Sequence, residues 1–312
     1  LPRNTNEAMS FVAHGLTLES GDDVVTTDHE HIGGLEPWRV VAARRGVTVT
    51  VAPLPVPAES DEELLEAVWS AVSPRTRVVS VSHLTFTTGT RLPVEALGRR
   101  CREAGIVFCV DGAHPPGMLA LDVEGAGGDF YASSPHKWML APQGCGLLYL
   151  GEAWREELWP TLASGGWDDL ALGAHRFNHM GTLDESRLAG LLAASEFLRA
   201  VGMDRVEARV RYLRARLEEG LRSMTGVDVA TPAPESLKGG MVAFSVEGVE
   251  SAALQRHLSR TAAVRTRVIG EYGYGWMWLS THVYNSPRQV ARVMALIHAV
   301  AREGLANEGV GG

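Results

Sequence analysis

Residues 106–114 read IVFCVDGAH, a run of five apolar residues that ends at Asp111. The run has no alternation of apolar and polar positions, which is typical of a strand buried on both faces. Short runs of the same kind lie at residues 23–27, 47–52, 77–82, 130–133 and 146–150, and helical patterns separate most of them. This order predicts an α/β fold with a mostly parallel sheet between helices.

From residue 186 the pattern changes. Residues 186–201 and 204–224 have apolar positions three and four apart, as in amphipathic helices, and strands are predicted at 241–246 and 275–280 before a helix at 287–301. We therefore predict a large α/β domain over residues 1–185 and a smaller α+β domain over residues 186–312. Because residue 1 is not a methionine and residues 5–16 already read as a helix, we expect the N-terminal part of the large domain to be missing upstream.

The composition of the 312 residues is typical of a globular protein, with 45% apolar and 21% charged residues. A net charge of −8 argues against nucleic acid or an anionic membrane as a partner, and no apolar run approaches the ~20 residues of a membrane span. The three cysteines, Cys101, Cys109 and Cys145, are too scattered for a disulfide framework or a CxxC metal site. We expect no metal and a reducing, cytoplasmic location.

Polar, titratable side chains follow four of the predicted strands. They are His31 after the first strand, His83 after the third, Asp111 and His114 after the fourth, and Lys137 after the fifth. The carboxyl ends of parallel strands meet at one edge of a sheet, where ligands bind. Taken singly, Asp111 could cap a turn and the histidines could be buried structural residues, but four such groups at one edge favour a site.

Only two of the 29 basic residues are lysines, Lys137 and Lys238, so a lysine in a polar motif calls for a reason other than charge. Arginine can supply a solvated cation, but only the lysine amine forms an imine with an aldehyde. This chemistry suits pyridoxal 5′-phosphate (PLP), which also needs a carboxylate at its ring nitrogen, here Asp111. We expect His31 to stack on the ring and His114 to contact the phenolic oxygen. The expected phosphate donors are Thr5, Asn6, Ser134 and His136.

The ordered motifs resemble those of class V aminotransferases, a PLP-dependent family of fold type I that includes isopenicillin N epimerase and cysteine desulfurases. The matching strings are VDGAH at 110–114, SSPHKW at 133–138 and PQGCGLLY at 142–149, with further matches at 3–8, 30–38, 181–182 and 284–287. The variants DGAH and EHxGG resemble the epimerase-like branch more than the desulfurases. The resemblance implies a mostly parallel, seven-stranded-type sheet with a smaller α+β C-terminal domain.

By this resemblance, Lys137 carries the PLP imine and moves the substrate α-proton, Asp111 pairs with the ring nitrogen, and His31 stacks on the ring. These three are the predicted catalytic residues. The resemblance also implies that Thr182 reaches the cofactor phosphate of the other subunit, which makes a homodimer part of the site. The remaining cofactor contacts are those proposed above, from Thr5, Asn6, His114, Ser134 and His136.

Three departures from the family bear on the substrate. Cysteine desulfurases carry a cysteine in a mobile loop, whereas residues 264–270 (VRTRVIG) contain none. Many relatives have an arginine that clamps the substrate carboxylate where Trp278 stands here. We therefore predict that Arg265 or Arg267 binds the substrate carboxylate, with Trp278 also at the substrate, or that the substrate is not an ordinary α-amino acid. Trp278 could equally be a core or interface aromatic. The third departure is Phe86, where several relatives have a polar residue.

The predicted function is a PLP-dependent reaction on an amino acid or amine, of aminotransferase or epimerase-like type, in a specialised biosynthetic pathway. A C–S lyase or a decarboxylating enzyme is an alternative, because these reactions begin from the same adduct. A non-catalytic relative is a further alternative, against which the presence of Lys137, Asp111 and His114 argues. No GxGxxG or P-loop string follows a predicted strand, which argues against nucleotide binding.

Overall fold

The structure is a computed structural model that describes residues 1–178, 181–182 and 184–305. These residues form two compact units. The first contains residues 1–55, 60–86 and 92–203, and the second contains residues 56–59, 87–91 and the described residues from 204 onward. The predicted domain boundary after residue 185 stays a prediction, and in the structure the first unit extends to Met203.

Helices and strands alternate through most of the first unit. Four of its helices begin at side chains that accept a hydrogen bond from the backbone of the first turn, namely Asn4, His31, Ser60 and Asp184. The bounds predicted for the strands, and for the helices at 5–16 and 186–201, agree with the observed ones to within one residue, whereas α5 was not predicted. The elements are α1 (Thr5–Gly15), β1 (Asp23–Thr27), α2 (Ile32–Arg45), β2 (Thr48–Ala52), α3 (Asp61–Trp69), β3 (Thr76–Ser82), α4 (Val94–Ala104), β4 (Val107–Asp111), β5 (Phe130–Ser133), β6 (Leu147–Leu150), α5 (Trp154–Glu157) and α6 (Glu185–Val201).

The strands of the first unit form one sheet in the order β2-β1-β3-β4-β5-β6. Neighbouring strands are parallel except for β5 and β6, which are antiparallel. The mostly parallel sheet is therefore confirmed. It has six strands over the described residues rather than the seven-stranded type that the resemblance implies, because no further described segment pairs with β2 or β6 as a strand.

The carboxyl ends of four strands lie side by side. Strand β3 pairs with β4 so that Ser82 is opposite Asp111, and β4 pairs with β5 so that Asp111 is opposite Ala132. Strands β1 and β3 are also parallel neighbours. Side chains that follow these strands therefore start from the same edge of the sheet, as the sequence pattern predicts.

Residues 151–178 follow β6 and fold around one buried arginine. The guanidinium of Arg176 donates hydrogen bonds of 2.6–3.1 Å to backbone carbonyls of Arg155, Glu156, Leu158 and Trp167. Burial of an arginine is favourable only when its donors are satisfied, and here the partners are main-chain oxygens. A single side chain thus ties together a segment that contains one short α-helix, Trp154–Glu157, and a 3₁₀-helix at Leu170–Phe177.

The second unit has a four-stranded antiparallel sheet in the order β7-β8-β10-β9. The sequence did not predict β7 and β9, which have three residues each and show no readable alternation, or α8, whose buried Leu254 and Leu258 have helical spacing. No helix of the described chain, residues 1–178, 181–182 and 184–305, is long and apolar enough to cross a membrane. The elements are α7 (Met203–Arg222), β7 (Val227–Val229), β8 (Met241–Val246), α8 (Ser251–Ala262), β9 (Arg267–Ile269), β10 (Trp276–Ser280) and α9 (Pro287–Glu303).

Lys238 has a structural role in the second unit. Its Nζ lies 2.9 Å from both carboxylate oxygens of Glu218, and both residues are buried. Burial acts to raise the pKa of Glu218, but hydrogen bonds from Lys238 and Arg222 outweigh it, so the pKa is lowered. Arg214 also pairs with Glu218. Of the two lysines in the chain, Lys238 therefore holds a buried carboxylate in its ionised form.

Glu30 ties the ends of β1 and β3 together below the carboxyl edge. Its Oε1 accepts hydrogen bonds from Thr27 Oγ1 at 2.7 Å and from the Ser82 amide at 3.0 Å, and its Oε2 lies 2.6 Å from Ser82 Oγ. Burial raises the pKa of the Glu30 carboxyl to about 7, and the negative charge of Asp111 adds to this shift. The hydrogen bonds from Ser82 and Thr27 oppose the shift without cancelling it.

The raised pKa of Glu30 predicts a pH-dependent stability. The folded chain holds a proton on Glu30 up to pH about 7, whereas an unfolded glutamate loses it near pH ~4.3. The stabilisation is therefore complete below pH ~4.3 and falls by about 3 kcal/mol as the pH rises to the folded pKa. Glu30→Gln mimics the protonated carboxyl and should remove this dependence in urea unfolding curves.

The matched control for Glu30→Gln is Glu62→Gln, which changes an exposed glutamate of α3. Glu62→Gln should keep the pH dependence of the unmodified chain. A difference between Glu30→Gln and the unmodified chain that is the same at every pH would contradict the assigned pKa.

Candidate active site

A cavity of about 240 Å³ opens at the carboxyl edge of the first unit's sheet. It is lined by eight of the nine residues predicted to bind the cofactor. The lining also includes Phe86 and Gly33. The eight residues are Thr5, Asn6, His31, Asp111, His114, Ser134, His136 and Lys137.

Lys137 reaches the cavity from a tight turn after β5. The amide of Lys137 donates to the carbonyl of Ser134 at 2.9 Å, which closes the turn. Its Nζ lies 3.2 Å from His114 Nε2. On the other side of the imidazole, Trp138 Nε1 donates to His114 Nδ1 at 3.1 Å. The lysine amine is thus one end of a hydrogen-bonded chain of three side chains.

Asp111 is buried at the end of β4, and its Oδ1 accepts a hydrogen bond from the Ala113 amide at 2.9 Å. Burial raises the pKa of this carboxyl, while the positive charge of Lys137 and the Ala113 amide act to lower it. A Cβ on Gly34 would lie 2.9 Å from Asp111 Oδ2. Glycine at this position of α2 therefore makes room for the carboxylate.

His31 is the N-cap of α2 and lies beside the cavity. Its Nδ1 accepts a hydrogen bond from the Gly33 amide at 3.0 Å, so in the neutral ring the proton is on Nε2. The edge of the imidazole packs against Phe86 with ring centroids 5.2 Å apart and planes at 83°. The cap hydrogen bond and the aromatic contact together fix the plane of the ring.

Donors suited to an anion collect at the start of α1. The Thr5 amide donates to Ser134 Oγ at 3.0 Å, and the hydroxyls of Thr5 and Ser134 are 2.7 Å apart. Helix α1 has eleven residues, so its first turn presents backbone amides and a positive dipole end. His136 Nδ1 lies 3.0 Å from the carbonyl oxygen of Cys145 and donates to it, which fixes the orientation of that ring.

This donor set fits PLP. The Lys137 amine suits the aldehyde of PLP, and the buried carboxylate of Asp111, with Gly34 in front of it, suits the ring nitrogen. The imidazole of His31 suits a ring face, and the N-terminus of α1 suits the phosphate. The described residues contain no group of three or more His, Cys, Asp or Glu side chains arranged to hold a metal ion.

The other predicted site residues lie outside this cavity. Thr182 is exposed in the segment before α6. In the second unit, Arg265 lines a separate cavity of about 450 Å³, and Arg267 on β9 forms an ion pair with Glu271. Trp278 lies opposite Arg267 in the sheet, and its buried indole N–H has no hydrogen-bond partner. The roles of these four residues stay predictions.

Three residues that shape the site were missed from the sequence. Glu30 precedes His31 and Trp138 follows Lys137, so each was in a quoted motif but had no assigned role. Gly34 belongs to the EHxGG string, and its close approach to Asp111 could have been suspected from the paired glycines. Adjacency to a predicted site residue was the available signal in each case.

Comparisons with known proteins show which family the chain is similar to. The sequence profile described as Aminotransferase class-V matches residues 2–293. The isopenicillin N epimerase of Amycolatopsis lactamdurans is 32% identical, over 96% of this chain and 79% of the relative. The apo cysteine desulfurase of Thermococcus onnurineus NA1 superposes with a TM-score of 0.84 at 26% identity, covering 97% of this chain and 79% of the solved one.

A solved mutant of C-DES, with glycine covalently linked to its PLP cofactor, also superposes on the chain. The TM-score is 0.84 at 25% identity, over 95% of this chain and 79% of that chain. The predicted fold type I and the predicted cofactor are therefore confirmed at the level of the family. From the match over residues 2–293 and the fold, the chain belongs to the class V aminotransferase family of PLP-dependent enzymes.

Proposed function

We propose that this chain moves the α-proton of an amino acid or amine, as an epimerase-like enzyme or an aminotransferase of a specialised biosynthetic pathway. The observation that carries the proposal is the contact of 3.2 Å between Lys137 Nζ and His114 Nε2, in the cavity that Asp111 also lines. The relation to isopenicillin N epimerase supports the epimerase-like reading.

When bound, PLP binds an amino group at its aldehyde carbon and withdraws the charge that develops at the neighbouring carbon. Lys137 would hold PLP covalently, and its Nζ would accept or return the α-proton of the substrate. Asp111 would face the ring nitrogen, because its buried carboxylate is stabilised by a protonated partner. His31 would cover one ring face, and His114 would contact the phenolic oxygen.

The phosphate would bind at the N-terminus of α1. The backbone amide and the hydroxyl of Thr5 lie there, and Ser134 Oγ is within hydrogen-bond distance of both. Asn6 and His136 line the same end of the cavity. Thr182 is proposed to contribute to the phosphate site of a second copy, so the functional unit is proposed to be a homodimer. Its proposed location is the cytoplasm.

Sulfur transfer from cysteine is the weaker alternative, because the chain has no reactive thiol. Burial raises the pKa of Cys101 to about 12, and burial also raises the pKa of Cys109 and of Cys145. A thiolate is needed for attack on sulfur, and all three cysteines are buried. The related cysteine desulfurases thus support the cofactor chemistry but not the same reaction.

For the substrate carboxylate we propose Arg265, with Trp278 as a second donor. Arg265 makes no ion pair among the described residues, whereas Arg267 is paired with Glu271. The unsatisfied indole N–H of Trp278 could donate one hydrogen bond where many relatives have an arginine. An arginine that is not already paired is the better ligand for a carboxylate.

Reconstitution with PLP tests the role of Lys137. The purified chain should develop a visible absorption band, and borohydride reduction should leave a pyridoxyl adduct on the peptide that contains Lys137. Lys137→Ala should lose both signals. Lys238→Arg is the matched control, because it changes the only other lysine and keeps a positive charge beside Glu218. A folded chain that forms no adduct, or forms it on Lys238, would refute the proposal.

The reaction is tested by incubating the PLP-loaded enzyme in D₂O with a panel of amino acids and amines. At least one compound should acquire deuterium at its α-carbon, with inversion of configuration or a carbonyl product. Lys137→Ala should slow this exchange by roughly 10²–10⁴-fold, the usual contribution of a positioned acid/base group. Release of sulfide or carbon dioxide without α-exchange would contradict the proposed reaction.

The substrate-binding role is tested once an acidic substrate is found. Arg265→Gln should raise KM by about 10–100-fold with little change in kcat, the loss expected for one charge-assisted hydrogen bond. Arg267→Gln is the matched control and should leave KM near its original value. Equal KM effects in the two variants, or none in Arg265→Gln, would show that the carboxylate binds elsewhere.

A further inference from the structure

Two hydrogen bonds that share the imidazole of His114 connect Trp138 to Lys137. The indole Nε1 of Trp138 is 3.1 Å from His114 Nδ1, and His114 Nε2 is 3.2 Å from Lys137 Nζ. Trp138 is 6% exposed, so its N–H depends on a protein partner. The indole N–H of Trp138 is thus linked to the Lys137 amine through the His114 imidazole.

The indole donor at one end of this chain determines which nitrogen of His114 carries the ring proton. An indole N–H is a donor only, so His114 Nδ1 must be the unprotonated, accepting nitrogen. The ring proton of neutral His114 is then on Nε2 and points at Lys137 Nζ. If Lys137 were an ammonium group, its N–H protons would face the Nε2 proton of His114 and no hydrogen bond could form. A neutral amine has a lone pair that accepts a hydrogen bond from that proton.

We propose that Trp138 is a positioning residue that sets the tautomer of His114 and thereby keeps the Lys137 amine neutral. The inference rests on the proposed function in that a neutral amine is the form that attacks an aldehyde and accepts a proton. Trp138 itself does not touch the reacting atoms in this arrangement. Its effect reaches Lys137 through His114.

The negative charge of one group at the cavity acts against this effect. Asp111, at the end of β4, attracts the positive charge of Lys137 and so favours the ammonium form. His31 of α2 and His136 of the turn after β5 line the same cavity, and α1 contributes the uncharged Thr5 and Asn6. If Trp138 is removed, His114 can turn its proton to Nδ1 and accept from an ammonium, so the preference of Asp111 prevails.

The test exploits the low lysine content of the chain. The full chain without PLP is treated with a small acylating reagent over a range of pH, and the labelled peptides are quantified by mass spectrometry. Lys238, buried and bonded to Glu218, is the internal reference for an ionised amine. Lys137 should be labelled readily at pH 7. In Trp138→Phe the labelling rate of Lys137 should fall by about tenfold, because a rise of about one in the pKa of the amine lowers its neutral fraction about tenfold. The rate should recover as the pH rises.

The matched control is Trp38→Phe. Trp38 is also buried and donates its indole N–H to Ser80 Oγ at 2.9 Å, so this variant loses an equivalent bond away from the cavity. Its Lys137 labelling should equal that of the unmodified chain. Equal labelling in Trp138→Phe and Trp38→Phe would overturn the inference.

Two further measurements make the result specific. In a His114→Gln background, Trp138→Phe should cause no additional change, and a further tenfold loss would show that Trp138 does not act through His114. In the unmodified chain, ¹⁵N NMR should show His114 protonated at Nε2, and a proton on Nδ1 would overturn the inference. Because no step uses PLP, failure to bind PLP would refute the proposed function while leaving these outcomes readable.

Discussion

The buried carboxylate of Asp111 is the constraint on which the rest of the site depends. A charge at the end of β4, removed from water, requires compensation. The structure supplies part of it with the hydrogen bond from the Ala113 amide, and a positive charge in the cavity also acts to lower the pKa of the carboxyl. Gly34 leaves the remaining oxygen accessible. At the neighbouring strand end, burial and the charge of Asp111 raise the pKa of Glu30 to about 7, which disfavours a second negative charge.

This arrangement separates the roles of two carboxyl groups that lie close together. Glu30 is enclosed by hydroxyl and amide donors from Thr27 and Ser82 and has a structural function. Asp111 faces the cavity and is the group that a cationic ring nitrogen can neutralise. The same edge of the sheet thus contains one carboxyl that the fold uses and one that a ligand can use.

Much of the architecture was readable from the sequence because a parallel sheet converts chain order into position. Asp111, Ser134 and Lys137 are far from Thr5 in the sequence, yet each follows a strand or begins a helix at the same edge. Continuous apolar runs indicate such strands regardless of the loops between them. The order of motifs then predicts which side chains meet, and eight of them line one cavity.

The details that could not be read depend on the direction of individual side chains. Nothing in the string SSPHKW indicates that Trp138 points its N–H at His114, which is 24 positions away. The pairing of Arg267 with Glu271, which distinguishes it from Arg265, likewise depends on a three-residue strand too short to recognise. Periodicity reports which face of an element is buried, but it does not report hydrogen-bond partners.

Arg176 has a consequence for how the sequence of residues 151–178 can vary. The guanidinium donates to main-chain oxygens of four residues, so these hydrogen bonds do not depend on the side chains of those residues. The four residues are Arg155, Glu156, Leu158 and Trp167. Related chains could therefore change those side chains freely while keeping the path of the segment. Lysine, with three donors and no planar fork, could not take the arginine's place. Substitutions should accumulate around this position and spare it.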